Sequence, residues 1–376
     1  MLAQPPIWLI FLAFILAIGP LVFIHELGHY LVARWFGVGA EVFSIVFGRE
    51  IFGWNDKRGT RWKVGWLPLG GYVRFVGDAD ATSTAKSDAP ASPKVQGLEF
   101  HNRPVGQRFL IVLAGPMANF LMAILIFATF FAAVGMPRSS NVVDQVERGS
   151  AAEQAGIRAG DRIESIAGQR TPTFEAVRRV LVLRPDTVVS MRVSRGAELL
   201  DLEARVGSQV IRDEFGQAHR IGKLGLPPPK RVLERLGPVE LIPRTVAFTF
   251  SMVRMMIDGI SQIIAGKISP KELGGPLKIA QMAGQQASLG AFEFVALVGM
   301  LSINLGFINL LPVPMLDGGH LAFYTVEAVR RRPVGERAQE WAFRGGLAAV
   351  LALLVFVTIN DLSSFGLWER LGRLIG

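Results

Sequence analysis

The chain has 376 residues, of which 50% are hydrophobic and only 19% charged, with a net charge of +9. That balance exceeds what a soluble core needs and indicates an α-helical polytopic membrane protein of about four transmembrane helices. Cysteine is absent, which excludes disulfide scaffolding, thiolate metal sites and cysteine nucleophiles together. The basic residues are scattered with no aromatic-interleaved stripe, so nucleic acid is excluded as a partner.

Residues 1–36 hold the first expected span. Ile7 to Ile24 is an uncharged apolar run long enough to cross a bilayer. It lacks a basic leading segment and a small-x-small cleavage site, so it reads as a retained helix rather than a signal peptide. His25-Glu26-Leu27-Gly28-His29 follows directly. On a helix, histidines at i and i+4 share one face and can both reach a zinc ion, and the glutamate between them can act as general base toward a water at that metal. Ionisable groups at membrane depth are costly, which points to a function for these three.

Residues 37–108 contain short apolar or alternating segments punctuated by Gly48, Gly53, Gly59, Gly65, Gly70 and Gly71, which predict a β-hairpin region. Asp78 to Pro93 is small, polar and proline-containing, and reads as a loop. Residues 109–136 form the second span, built on Phe109 to Val134. Residues 137–229 read as a soluble α+β module with a short helix at Ser150 to Ala155 and a strand at Arg162 to Ala167. In residues 230–290, apolar residues recur at helical spacing from Arg244 to Gly266, interrupted by Arg254 and Asp258, so this helix is expected to be interfacial, with a fifth span as the alternative. Ser269 to Pro276 then breaks it and starts another helix.

Residues 291–328 carry the third span, which ends in Asn309-Leu310-Leu311-Pro312-Val313-Pro314-Met315-Leu316-Asp317-Gly318-Gly319. The prolines end the helix and leave a carboxylate beside it. Catalytic zinc takes three protein ligands and keeps one open position; Asp317 is expected as the third ligand after His25 and His29, with His320 as a competitor. Asn309 fits either helix packing or a contact to substrate, Asn304 fits packing, and His101 and His219 lie in polar stretches as surface residues. Residues 329–376 comprise a basic loop, a fourth span around Gly346 to Ile359, and a tail.

Short loops rich in Lys and Arg stay cytoplasmic. Arg34 to Arg108 carries eleven Lys and Arg against seven Asp and Glu, and Arg330, Arg331, Arg332, Arg337 and Arg344 precede the last span. Both segments are therefore expected in the cytoplasm, with the 137–229 module on the other side.

The string Gly156-Ile157-Arg158-Ala159-Gly160-Asp161-Arg162-Ile163, followed by Ile166-Ala167-Gly168, resembles a PDZ domain. The order of HELGH, the AGP-x-x-N string at Ala114 to Asn119, the PDZ-like insertion and NLLPVPMLDGG resembles the site-2 protease family of intramembrane zinc metalloproteases, with the bacterial regulator-of-sigma-E-protease branch as its nearest likeness. The resemblance implies Zn2+ held by His25, His29 and Asp317, and Glu26 as catalytic base. It also implies substrate contacts from Asn309 and from a membrane-associated β element that includes Gly48, Gly70, Gly71 and Tyr72. The expected setting is a bacterial inner membrane with the PDZ-like module in the periplasm. Expected partners are the lipid bilayer, single-span membrane proteins such as anti-sigma factors as substrates, and a peptide or C-terminus at the PDZ-like groove. Tandem PDZ domains are common in that branch, and this chain departs from the pattern with one.

Overall fold

The computed structural model describes residues 5–67, 70–77, 98–138, 140–182, 184–212, 218–227, 232–266, 270 and 274–364. Among these, four helices are long and apolar enough to cross a membrane: α1 (Ile7–Trp35), α2 (Val105–Ala133), α7 (Ala291–Leu310) and α9 (Glu336–Ser364). Between them lie α3 (Ala151–Gln154), α4 (Phe174–Val182), α5 (Pro238–Ile264), α6 (Pro276–Leu289) and α8 (Asp317–Arg330). The chain divides into two units, one of residues 1–129 and 238–376 and the other of residues 130–237.

In the first unit, α1 does not stop at the end of the apolar run but continues through HELGH to Trp35. Its buried side chains include Ala13, Ala17, Leu21, His25, His29 and Ala33. These recur every four residues, so both histidines occupy positions on the helix's inward stripe and not on a water-facing end. Ala13, Ala17 and Leu21 pack in one apolar cluster with Ala283 of α6 and Val298 of α7. Further along, Tyr30 and Ala33 join a second cluster with Phe43, Phe75, Phe100 and Ile111.

The segment after α1 folds as a four-stranded sheet of β1 (Ala40–Ser44), β2 (Phe47–Asn55), β3 (Arg61–Leu67) and β4 (Tyr72–Phe75) in the order β2-β3-β1-β4. The expectation of hairpins is corrected in part: β2 and β3 form an antiparallel hairpin, but β1 pairs with β3 in parallel and with β4 antiparallel. Asp56 in the hairpin turn anchors it. It accepts hydrogen bonds from the amides of Arg58 and Thr60, from Trp62 Nε1 and from the Tyr30 hydroxyl of α1. Burial alone would raise the Asp56 pKa, but the Trp62, Arg58 and Thr60 donors hold its carboxyl below the ordinary carboxylate range. The polar loop expected at Asp78 to Pro93 lies outside the described residues.

The helix expected from Arg244 begins earlier, at Pro238, where a missing N–H is tolerated at the first helical position, and it carries Pro243 inside it. It is not among the four span-length apolar helices. The fourth span is longer than the apolar run Gly346 to Ile359 suggested. Near its end Asp361 is buried and caps α6: its Oδ1 accepts from the Gly275 amide and its Oδ2 from the Lys278 amide, each at 3.0 Å. A carboxylate at the end of a span is thus absorbed by another helix's unsatisfied N–H groups. Of the expected break at Ser269 to Pro276, residues 269 and 271–273 lie outside the described residues.

The second unit has β5 (Met136–Arg138) paired with β12 (Val232–Glu234), a sheet of β6 (Arg162–Ile166), β7 (Gln169–Arg170), β8 (Val188–Arg195) and β9 (Glu198–Arg205) in the order β7-β6-β8-β9, and a β10 (Gly207–Arg212) and β11 (Ala218–Lys223) hairpin. The alternating burial of β8 turns Val189, Met191 and Val193 inward, where they meet Ile163, Ile166 and Val177. Asp161 in the preceding turn is 1% exposed and takes a bidentate pair of 2.8 Å bonds from Arg195, with a third from the Arg158 amide. Burial alone would raise its pKa; the Arg195 and Arg158 donors more than offset that and hold it low.

Candidate metal centre

His25, His29 and Asp317 are brought together: one potential ligand atom from each lies within 4.8 Å of the others. The Nε2 atoms of the two histidines are 3.2 Å apart, and Asp317 places Oδ2 3.0 Å from His25 Nε2 and Oδ1 3.5 Å from His29 Nε2. Three donors therefore converge on a single point. Asp317 Oδ2 makes no properly directed hydrogen bond despite its closeness to His25. A buried carboxylate oxygen without a directed donor is costly in a protein interior and is what a metal ligand needs to be. Two imidazoles and one carboxylate fit zinc with an open coordination position.

Each ligand is placed by a local feature of sequence. The histidines are one turn apart on the buried stripe of α1. Asp317 begins α8, after the chain leaves α7 at Leu310 and turns at Pro312 and Pro314. Gly318 and Gly319 make that turn tight enough: a Cβ at Gly318 would be 2.5 Å from the Leu310 carbonyl oxygen, and one at Gly319 2.6 Å from that of Val313. Glu26 is partly buried beside the ligands, with the backbone of Val73 in β4 close to its carboxylate.

Helix α2 supplies the surroundings of the histidines, and none of its contacts was assigned a role from the sequence. The Ile111 carbonyl oxygen is 2.9 Å from His29 Nδ1, so Nδ1–H donates to it and Nε2 is left as the ligating atom. Ile111 lies five residues before Pro116, whose missing N–H leaves the neighbouring Val112 carbonyl without its helical donor. Gly115 faces the His29 ring, and Asn119 Nδ2 is 3.1 Å from His25 Nδ1. Ile111, Gly115, Asn119 and Ala123 are all buried and spaced by four, a stripe matching that of α1. That periodicity, inside the AGP-x-x-N string, was the available signal.

The remaining expected residues fall around this centre. Gly71 lies against Val22 of α1, and a Cβ there would be 2.5 Å from the Ser44 carbonyl oxygen. Tyr72 stacks on Phe47 with ring centroids 5.8 Å apart. Gly48 and Gly70 accommodate Trp66 and the Phe47 ring respectively, each with a positive φ. Asn309 is partly buried in the last turn of α7, as Asn304 is partly buried earlier in that helix. His320 is outside the ligand group; its ring is 5.0 Å from Phe343. His101 is exposed, and the side chain of His219 lies outside the described residues.

The model of peptidase family M50 matches residues 13–353. A candidate zinc metalloprotease of Agrobacterium fabrum is 42% identical over 358 residues, spanning 93% of this chain and 95% of that protein. A counterpart in Rhizobium meliloti is 43% identical over 349 residues, spanning 91% and 93%. Metalloprotease MmpA of Caulobacter vibrioides is 34% identical over 393 residues, with 98% of both chains covered. Among solved structures, a PDZ domain from Listeria monocytogenes aligns with 25% of this chain and 90% of its own at 16% identity and a TM-score of 0.19. The convergence of two histidines and an aspartate beside a glutamate, in a bundle of membrane-length helices, is thus set in a chain that belongs to peptidase family M50, the site-2 protease family of zinc metallopeptidases.

Proposed function

We propose that the protein cleaves peptide bonds within the transmembrane segments of single-span membrane proteins, anti-sigma factors among them, from within a bacterial inner membrane. The observation that carries this reading is the convergence of His25, His29 and Asp317 beside Glu26 on helices of membrane-spanning length. In this reading the two histidines and Asp317 hold zinc and Glu26 is the catalytic base.

When bound, zinc supplies Lewis acidity that polarises a scissile carbonyl and acidifies water. Glu26 takes the proton of the attacking water on its carboxylate and returns it to the leaving amine nitrogen. The backbone of Val73 in β4 lies close to that carboxylate. A transmembrane helix hides its carbonyls in i to i−4 bonds and must unwind before attack, leaving backbone groups that lipid cannot satisfy. Pairing the unwound stretch with a strand edge meets that demand, and β4, with Gly70, Gly71 and Tyr72 at its start, is the strand nearest the base. Gly48 and Asn309 extend the same proposed contact surface.

Among the described residues, the second unit contributes none to the metal group. We assign it a PDZ-like role on the periplasmic side, restricting access or holding a peptide terminus in the cavity of about 280 Å³ between α4 and the end of β11, lined by Val177, Leu181, Lys223 and Leu224.

The test is co-expression of wild type or Glu26→Gln with candidate single-span proteins, with metal analysis of both enzymes. The amide cannot accept a proton but leaves the ligands untouched, so the variant should keep zinc and give no product. Product formation at the wild-type rate would remove Glu26 from the role of base.

A further inference from the structure

Asn119 is fully buried in the middle of α2. Its backbone is fixed from the other side by Ser302 of α7, whose hydroxyl donates to the Asn119 carbonyl at 2.7 Å. Its side-chain nitrogen is 3.1 Å from His25 Nδ1, and its Oδ1 has no hydrogen-bond partner. A buried amide oxygen left without a donor is unfavourable. Amide nitrogen and oxygen exchange places by a half turn about the Cβ–Cγ bond, with no other atom moved.

The two orientations have opposite consequences for His25. With Nδ2 toward the ring, Nδ1 must accept, so a neutral imidazole carries its proton on Nε2, the atom facing Asp317. With Oδ1 toward the ring, Nδ1–H donates and the Nε2 lone pair is free. His29 already has this second arrangement through the Ile111 carbonyl. Only the second orientation lets both histidines present Nε2 to one metal ion.

We propose that Asn119 is a positioning residue that accepts a hydrogen bond from His25 Nδ1–H through Oδ1 and thereby holds His25 in its metal-ligating tautomer. The two histidines are then secured from the same helix by different oxygens, a main-chain carbonyl for His29 and a side-chain amide for His25. This rests on the reading of His25 as a zinc ligand.

The test compares Asn119→Asp, Asn119→Leu and Asn119→Ala in the full-length protein in detergent, with His25→Ala and Asp317→Ala as controls. Zinc affinity is measured by competition with a chromophoric chelator, and the d–d absorption of the cobalt-substituted protein reports coordination independently of activity. Asp offers an acceptor at the same place and should bind zinc about as tightly as wild type. Leu and Ala offer none and should weaken zinc by roughly 10–100-fold, with altered cobalt spectra. Leu keeps the volume and Ala gives it up, so agreement between them separates the lost acceptor from altered packing. Wild-type affinity in both apolar variants overturns the proposal, as does an Asp variant as weak as Leu. If the His25→Ala and Asp317→Ala controls also keep zinc, the metal-site reading itself has failed; if they lose it while the apolar Asn119 variants do not, only the positioning role has failed.

Discussion

Gly115 of α2 faces His29 of α1 so closely that a Cβ on residue 115 would overlap Nε2, the ring atom turned toward Asp317. The absence of a side chain at 115 is therefore part of the metal centre. Asn119, one turn on, faces His25, and Gly28 of α1 meets Ala114 and Ala118 of α2 between these contacts.

Gly115→Ala is expected to displace the His29 ring and strip zinc from a protein that still folds, because overpacking by one methyl typically costs about 1–3 kcal/mol. Metal content of the purified variant, alongside its far-ultraviolet circular dichroism, checks this. Stoichiometric zinc in the variant would show that the ring has room that the geometry denies it.

Asp317→Ala should lose both zinc and activity, since it removes one of three converging ligands. His320→Ala should keep zinc. His320 lines a separate cavity with Arg108, Tyr324 and Phe343, and its ring packs against Phe343. The reverse pattern would exchange the two residues' roles.

Why the sequence announced one half of this site and concealed the other follows from how each half is built. HELGH is legible because both histidines and the glutamate between them lie close together on one helix, where spacing alone fixes geometry. Asp317 is legible because two prolines and two glycines force a break beside it. The Ile111 carbonyl, Gly115 and Asn119 act through the register of α2 against α1, which depends on tertiary packing. The hairpin of β2 and β3 was legible for the same reason, since strand segments and turn glycines are local, whereas the parallel pairing of β1 with β3 brings together residues separated by the whole of β2.

In the second unit, acid should act through Asp161. Its carboxyl is held below its ordinary value by Arg195 despite burial, so it stabilises the fold at every pH above the unfolded value of about 3.9. That contribution is lost as pH falls from there through the lower folded value. Hydrogen-exchange protection of the β6 amides, corrected for intrinsic rate, should therefore drop below about pH 4 in the wild type. Asp161→Asn should lower protection at neutral pH and flatten the acid dependence. A wild-type profile that is flat through this range would remove the Arg195 pair from the unit's stability.

Orientation across the membrane can be read with single cysteines, because the chain has none of its own. The basic bias of residues 34–108 and 330–344 predicts the cytoplasmic side for both, and on that prediction three spans alternate so that the end of α1, the start of α2 and the segment beyond α7 share that side. Those segments border the stretches that supply His25 and His29, Ile111, and Asp317, so a common side for them is what one site requires. Lys57 in the exposed β2–β3 turn and Gln169 in the second unit are both solvent-facing and suit the test. A membrane-impermeant thiol reagent applied to cells with a permeabilised outer membrane should label Gln169→Cys, and should label Lys57→Cys only after the inner membrane is opened. Labelling of Lys57→Cys in cells with an intact inner membrane, with Gln169→Cys protected, would invert the topology and place the metal centre near the opposite face.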